Sequence, residues 1–374
     1  MKLHFSFSNK KQARLIIILF LTLLIVIIFE IMSIYYSRHE TKTHFDSRVK
    51  LDNIRSKTTQ VFEYIRENVN DIIISGGIKG AIQLTQEAFK QEAITMYQCH
   101  TLAHTIGHHS NPDISEDIHI LIENGVDYCE GGFKHGLEAE IALRGLEGDY
   151  NFRPEIYRFC SFLLEKSTVG DCYHGAGHEF MGYTLDVKKA LDLCDTLTEG
   201  PLKDVTNCYT GLFSEYTNIL GGVDGETGYR IANPILKLDS SPMDFCASLD
   251  KPYQIPCALE LNGLYFGTSS TYEMLEEKLR GCINPKYNQE LQIACIKSTS
   301  AVFYQHQLPK EHSPKPPDYI LSWAEEPRRA FIVGAGTEMN QFLINGVKID
   351  WQTFCQPFPS DEFSLCRSIF EKTS

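Results

Sequence analysis

The chain carries no excess of basic charge: 35 Lys and Arg stand against 48 Asp and Glu, a formal net charge of −13. No broad basic face follows from that balance, which argues against a nucleic-acid role. Also missing are the P-loop, G-x-G-x-x-G and G-x-S-x-G, so nucleotide-cradling loops and the α/β-hydrolase nucleophile drop out. No C-x-x-C-H occurs, which excludes covalently attached c-type haem and leaves bis-His haem open. Strand signals are scarce, and the fold class reads as all-α. Cysteine is absent before residue 99 and then occurs twelve times. That contrast separates a terminal part from a stapled part.

The basic residues that do cluster, Lys2, Lys10, Lys11 and Arg14, precede an apolar run over residues 15–36. Only Thr22, Glu30 and Ser33 are clearly polar within it. Such a run, at about 1.5 Å per helical residue, crosses a hydrocarbon core of roughly 30 Å. Positive charge before it predicts a cytoplasmic N-terminus and an extracytoplasmic remainder. The rival is a cleaved signal peptide, with an apolar core of about 7–15 residues and a small-residue cleavage site. Here SIYYSRHE follows instead, and Tyr35 and Tyr36 suit a membrane interface. The expected organisation is a basic cytoplasmic tail (1–14), a transmembrane signal-anchor (15–36), a spacer and helix (37–77) and an extracytoplasmic α-helical repeat domain (78–374).

Twelve cysteines, an even number, fit an oxidising compartment. Five pairs recur at short spacing: Cys160/Cys172, Cys194/Cys208, Cys246/Cys257, Cys282/Cys295 and Cys355/Cys366. The first of each pair ends an amphipathic stretch, and the second opens one rich in small and apolar residues. This predicts helix A, a loop and helix B, with a disulfide tying the end of A to the start of B. The interval between second cysteines is that of helical-hairpin repeats, and the resemblance to such proteins is architectural. The segment RRAFIVGAGTEMNQFL, beginning at Arg329, has the same texture but lacks both cysteines. Paired loss is what a structural disulfide predicts. By elimination Cys99 pairs with Cys129. The hairpins form an open array or a toroid. Residues 217–241, rich in Gly, interrupt the period as a tolerated insertion or a lid; residues 307–318 form a Pro-rich connection.

Eight of the thirteen histidines lie between residues 100 and 178. His100, His104 and His108 are one helical turn apart and share a face. His135 and Glu138 sit in the next unit; His174 and His178, again one turn apart, sit in the third beside Glu179. Counted from the opening cysteine, His135 and His178 share a position that Ser214 and Thr337 fill in later units. Glu179, Glu215 and Glu338 share the next, so these groups should converge on one inner wall. Gly132, Gly175, Gly211 and Gly334 share an earlier position and predict close helix packing.

Imidazoles one turn apart can chelate an ion, and carboxylates complete a site for zinc, iron or manganese. The candidate ligands are His100, His104, His108, His135, His174 and His178; Glu179 or Glu138 is the candidate general base. The plain alternative is that these histidines serve core hydrogen bonding. His178-Glu179 lacks the second histidine of H-E-x-x-H. The run H-T-I-G-H-H resembles the histidine boxes of membrane hydroxylases and desaturases, but those need several spans and this chain has one. Two functions remain: a metal-dependent hydrolase or oxidoreductase acting on a small molecule or peptide, or a non-catalytic scaffold binding a peptide, glycan or protein.

Overall fold

The computed structural model describes residues 50–54, 60–109, 128–129, 131–148, 151–165, 172–200, 204–221, 236–262, 271–308 and 312–371. The tail, the apolar run at 15–36 and most of the spacer lie outside the described residues, as does most of the Gly-rich insertion. Among the described residues no helix is long and apolar enough to cross a membrane, and none forms a strand.

The helices are α1 (Val61–Glu67), α2 (Val69–Lys90), α3 (Met96–His108), α4 (Gly132–Leu146), α5 (Phe152–Glu165), α6 (His174–Thr184), α7 (Val187–Asp195) and α8 (Thr206–Leu220). There follow α9 (Pro242–Ser248), α10 (Lys251–Leu261), α11 (Tyr272–Cys282), α12 (Gln289–Gln307), α13 (Asp318–Leu321), α14 (Glu325–Ile344), α15 (Trp351–Cys355) and α16 (Ser360–Glu371). Helix α2 breaks sharply at Gly77, which takes φ +67°, a conformation that favours glycine. Helix α3 starts with a capping box, Thr95 Oγ1 accepting from the Gln98 amide and Gln98 Oε1 from the Thr95 amide.

Six disulfides form, pairing Cys99–Cys129, Cys160–Cys172, Cys194–Cys208, Cys246–Cys257, Cys282–Cys295 and Cys355–Cys366, as the spacing predicts. No described cysteine is free, and each is at most 3% exposed. Four of the bridges join an outer helix (α5, α7, α9, α11) to an inner one (α6, α8, α10, α12), at its start for Cys172 and Cys208 and about two turns in for Cys257 and Cys295.

Helices α3, α4, α6, α8, α10, α12 and α14 pack in succession, each on the one before. All seven contribute side chains to a single cavity. The ends of this series are tied together. The Phe89 ring of α2 lies 5.7 Å from Phe342 of α14, and Asn345 Oδ1 accepts from the Cys129 amide. The cysteine-free unit therefore supplies an inner helix, α14. The Cys355/Cys366 unit does not: α16 lines no part of the cavity and lies against α14. Its anchor is the Arg328 guanidinium, which donates two 2.6 Å hydrogen bonds to the Glu362 carboxylate.

The recurring glycines explain how inner helices approach so closely. A Cβ at Gly132, Gly175, Gly211 or Gly334 would stand within 3.0 Å of a backbone carbonyl on the neighbouring inner helix. Those carbonyls belong to His100, His135, His174 and Lys297 respectively. Real Cβ atoms do not come so near, so only glycine allows this spacing.

Candidate metal centre

The close packing of α3, α4 and α6 brings five imidazoles into one circuit. Ring centroids are 5.4 Å apart for His100–His135, 4.4 Å for His135–His174 and 4.9 Å for His174–His178. The circuit closes through His178–His104 at 5.5 Å and His104–His100 at 6.1 Å. All five line the central cavity of about 510 Å³. His108 does not; its ring lies 4.9 Å from His104 and its Nδ1 3.5 Å from Glu140.

Hydrogen-bond partners fix which nitrogen donates. His100 Nδ1 faces the Cys129 carbonyl at 3.0 Å, and a carbonyl only accepts. His178 Nδ1 faces the Glu215 carboxylate at 3.1 Å. His174 Nδ1 faces Thr210 Oγ1 at 3.0 Å, while that hydroxyl donates to Asn207 O. Each Nδ1 is thus a donor, which leaves Nε2 turned toward the cavity side of the circuit. Outer-shell partners of this kind orient metal-ligating histidines.

Two of those Nε2 atoms, from His174 and His178, face each other at 3.1 Å. A proton held between the two nitrogens, or a cation seated against both, satisfies such a pair. Ligand bonds of about 2.0–2.1 Å in tetrahedral geometry place two nitrogens about 3.3 Å apart. Both nitrogens of His104 and of His135 are buried without a hydrogen-bond partner among the described residues. Burial first, and neighbouring histidines next, hold His104 and His135 well below the ordinary 6.5, with Lys134 adding to the effect at His135. His174 is lowered likewise, by burial and then by His178, His100 and Lys134. Neutral imidazole is the ligating form.

No three histidine nitrogens among the described residues lie mutually within 4.8 Å. The group that does meet that distance is Glu138 with Cys160 and Cys172. It is not a metal site, because the two sulfurs are bonded to each other and offer no thiolate.

Glu138 has a different task. Its carboxylate accepts from the amides of Tyr173 and Gly175, capping the start of α6 from the neighbouring helix. Tyr173 takes φ +78° there, and this held turn delivers His174 to the cavity. Glu138 is therefore not available as a general base, since its oxygens are engaged away from the cavity. Glu179 is buried but does not line the cavity either. The carboxylates that do are Glu338 and Glu260.

The shared register position behaves as expected: His135, His178, Ser214 and Thr337 all reach the cavity. Sequence reasoning overlooked Asn218, Gln305 and Gln341, which line it one helical turn further on. The signal existed, since Asn218 and Gln305 stand at the same distance beyond Cys208 and Cys295. No protein family, curated protein or solved structure matches this chain.

Proposed function

We propose that the chain is a membrane-anchored, extracytoplasmic metalloprotein whose histidine circuit holds a divalent transition metal and catalyses a metal-dependent reaction in the central cavity. The observation that carries this reading is the opposed Nε2 pair of His174 and His178, each ring held from behind through its Nδ1. His135 and His104 complete the ligand set, with His100 beside them; His108 belongs to the outer layer with Glu140. Zinc, iron and manganese all suit imidazole-rich sites of this kind. A bound ion lowers the pKa of its water toward 7 and supplies a nucleophile or a redox centre. Glu338, on the cavity wall, takes the general-base role. The apolar run at 15–36 with its preceding basic residues supports the anchor, and six disulfides support the oxidising side of the membrane.

Elemental analysis of the purified full chain tests the metal. About one equivalent or more of metal is expected in the wild type, lost in His178→Ala and His174→Ala. Absence of metal from the wild type, after reconstitution with zinc, iron and manganese, overturns the centre. A structural ion in a binding scaffold is the second reading, favoured by the ring-like packing around the site. Metal-free protein with an unchanged melting temperature but no turnover supports catalysis; a large fall in melting temperature supports the scaffold. Deleting residues 1–36 should release the chain from membranes, and persistent membrane association would remove the anchor.

A further inference from the structure

Helix α12 lines the cavity with Ser298, Ala301, Val302 and Gln305, which stand at i, i+3, i+4 and i+7 and so share one face. Helix α14 packs against it and adds Gln341 to the same wall. Two atoms here are uncommitted: Ser298 Oγ and Gln341 Oε1 are buried with no hydrogen-bond partner among the described residues. Ser298 is 5% exposed, so its hydroxyl is sheltered as well as unpaired. It stands three residues beyond Cys295, where glycine follows Cys129, Cys172 and Cys208 at the same distance. Packing alone does not call for a hydroxyl at that register position. An unsatisfied buried polar atom costs roughly 1–3 kcal/mol, which a bound molecule that supplies the partner offsets.

Spacing and hydrogen-bond sense narrow the ligand. Ser298 and Gln305 are seven residues apart, about 10 Å along the helix. Between them this face carries only Ala301 and Val302. Polar groups at both ends of a small apolar gap match an extended peptide, which advances about 3.3 Å per residue and alternates its side chains. Gln341 Oε1 only accepts and so calls for a donor, whereas Ser298 Oγ both donates and accepts. Main-chain amides supply both functions. A saccharide carries hydroxyls around the whole ring and suits the apolar gap less well. An amide is neutral, so the match does not depend on the charge balance of the cavity. Its carbonyl is also the kind of group that an ion in the same cavity polarises. The volume of about 510 Å³ falls inside the common range for small-molecule pockets, about 300–1,000 Å³.

We propose that the α12–α14 wall is a binding subsite for an extended peptide segment of about three residues, its main-chain amides held by Ser298, Gln305 and Gln341. The proposal names a substrate class for the cavity described above and rests on the metal reading for where the chemistry occurs. The subsite itself rests on its own residues.

Calorimetric titration of the full chain tests it, with metal content measured on the same sample. The probe is trialanine blocked as its N-acetyl amide, which carries no charge. Beside it are its analogues with one internal amide replaced by an ester, and the N-acetylglucosamine disaccharide as a glycan. The peptide should bind, and at least one ester should bind about 3- to 10-fold more weakly, the loss of one neutral N–H donor. Ser298→Ala and Gln341→Ala should each weaken the peptide by a similar factor, with metal content at the wild-type level. In Gln341→Ala the penalty of that ester should vanish, because the acceptor that meets the N–H is gone. Gln305→Ala, at a partly exposed position, gives a third test if either of the other variants misfolds. Tighter binding of the disaccharide, no binding of any probe, or unchanged affinity in correctly folded variants overturns the subsite. So does equal binding of the peptide and every ester, or an ester penalty undiminished in Gln341→Ala. Peptide binding by a chain that takes up no metal sinks the metal centre alone. Metal uptake without peptide binding sinks this proposal alone.

Discussion

Burial decides the charge state of the imidazoles. His104, His135 and His174 are held well below their ordinary value because a charged ring would be desolvated beside other histidines. The unfolded chain has no such penalty, so its histidines titrate near 6.5. A folded-state value below the unfolded one means that the unfolded state binds more protons as pH falls. For the metal-free protein, urea unfolding should therefore show these groups costing no stability above about pH 6.5. Stability should decline steadily from there down toward the lowered folded values. A midpoint that holds constant from pH 7.5 to 5.0 would contradict the burial argument. Glu138 shows how residue type alone misleads. Near His135 in the helix it reads as a general base, yet its carboxylate caps the α6 amides of Tyr173 and Gly175. No spacing rule distinguishes a carboxylate facing a cavity from one serving a neighbouring helix end.

At the scale of elements, the spacing of inner helices depends on glycine. At Gly211 a Cβ would collide with the His174 carbonyl, the carbonyl of a candidate ligand residue. Gly211→Ala should cost about 1–3 kcal/mol from overpacking and lower metal occupancy as α6 shifts. Gly182, in α6, has nothing within 4 Å of the equivalent position. Gly182→Ala should instead gain roughly 0.5–1 kcal/mol from backbone entropy. Chemical denaturation of the two variants side by side reads this difference, and equal effects would discount the close-approach account. The recurrence of glycine at one register position was visible in the sequence. Which carbonyl each one meets was not, because that depends on how far adjacent helices slide along one another.

For the whole molecule, six buried disulfides each close a local hairpin except Cys99–Cys129, which spans a sequence separation of 30. Removing Cys246–Cys257 as a double alanine variant should cost about 2–3 kcal/mol on a chain-entropy estimate for a short loop. Alkylation without reductant should leave all described cysteines unlabelled, and labelling at several of them would undo the repeat register. The pairing could be read directly from spacing, since a staple across a short A–B loop has few alternatives. The last pair shows the limit of that reading. Cys355 and Cys366 are bonded as expected, yet α16 is fastened outside α14 by Arg328 and Glu362. Helix α16 packs on the side of α14 away from the cavity lining, while α14 itself contributes Thr337, Glu338 and Gln341 to the cavity.

The sequence by itself determined the all-helical class, the six bridges, the glycine register and the shared position of His135, His178, Ser214 and Thr337 on the cavity wall, but not that Glu179 and Glu215 stay off it. These follow from local periodicity and short loops, which are written in neighbouring positions. Only the tertiary structure decided that α14 is tied back to α2 and to the Cys99–Cys129 bridge, that the Nε2 atoms of His174 and His178 face each other, and that Glu138 caps α6. Those outcomes depend on contacts between helices far apart in the chain, where side-chain direction is set by packing rather than by spacing.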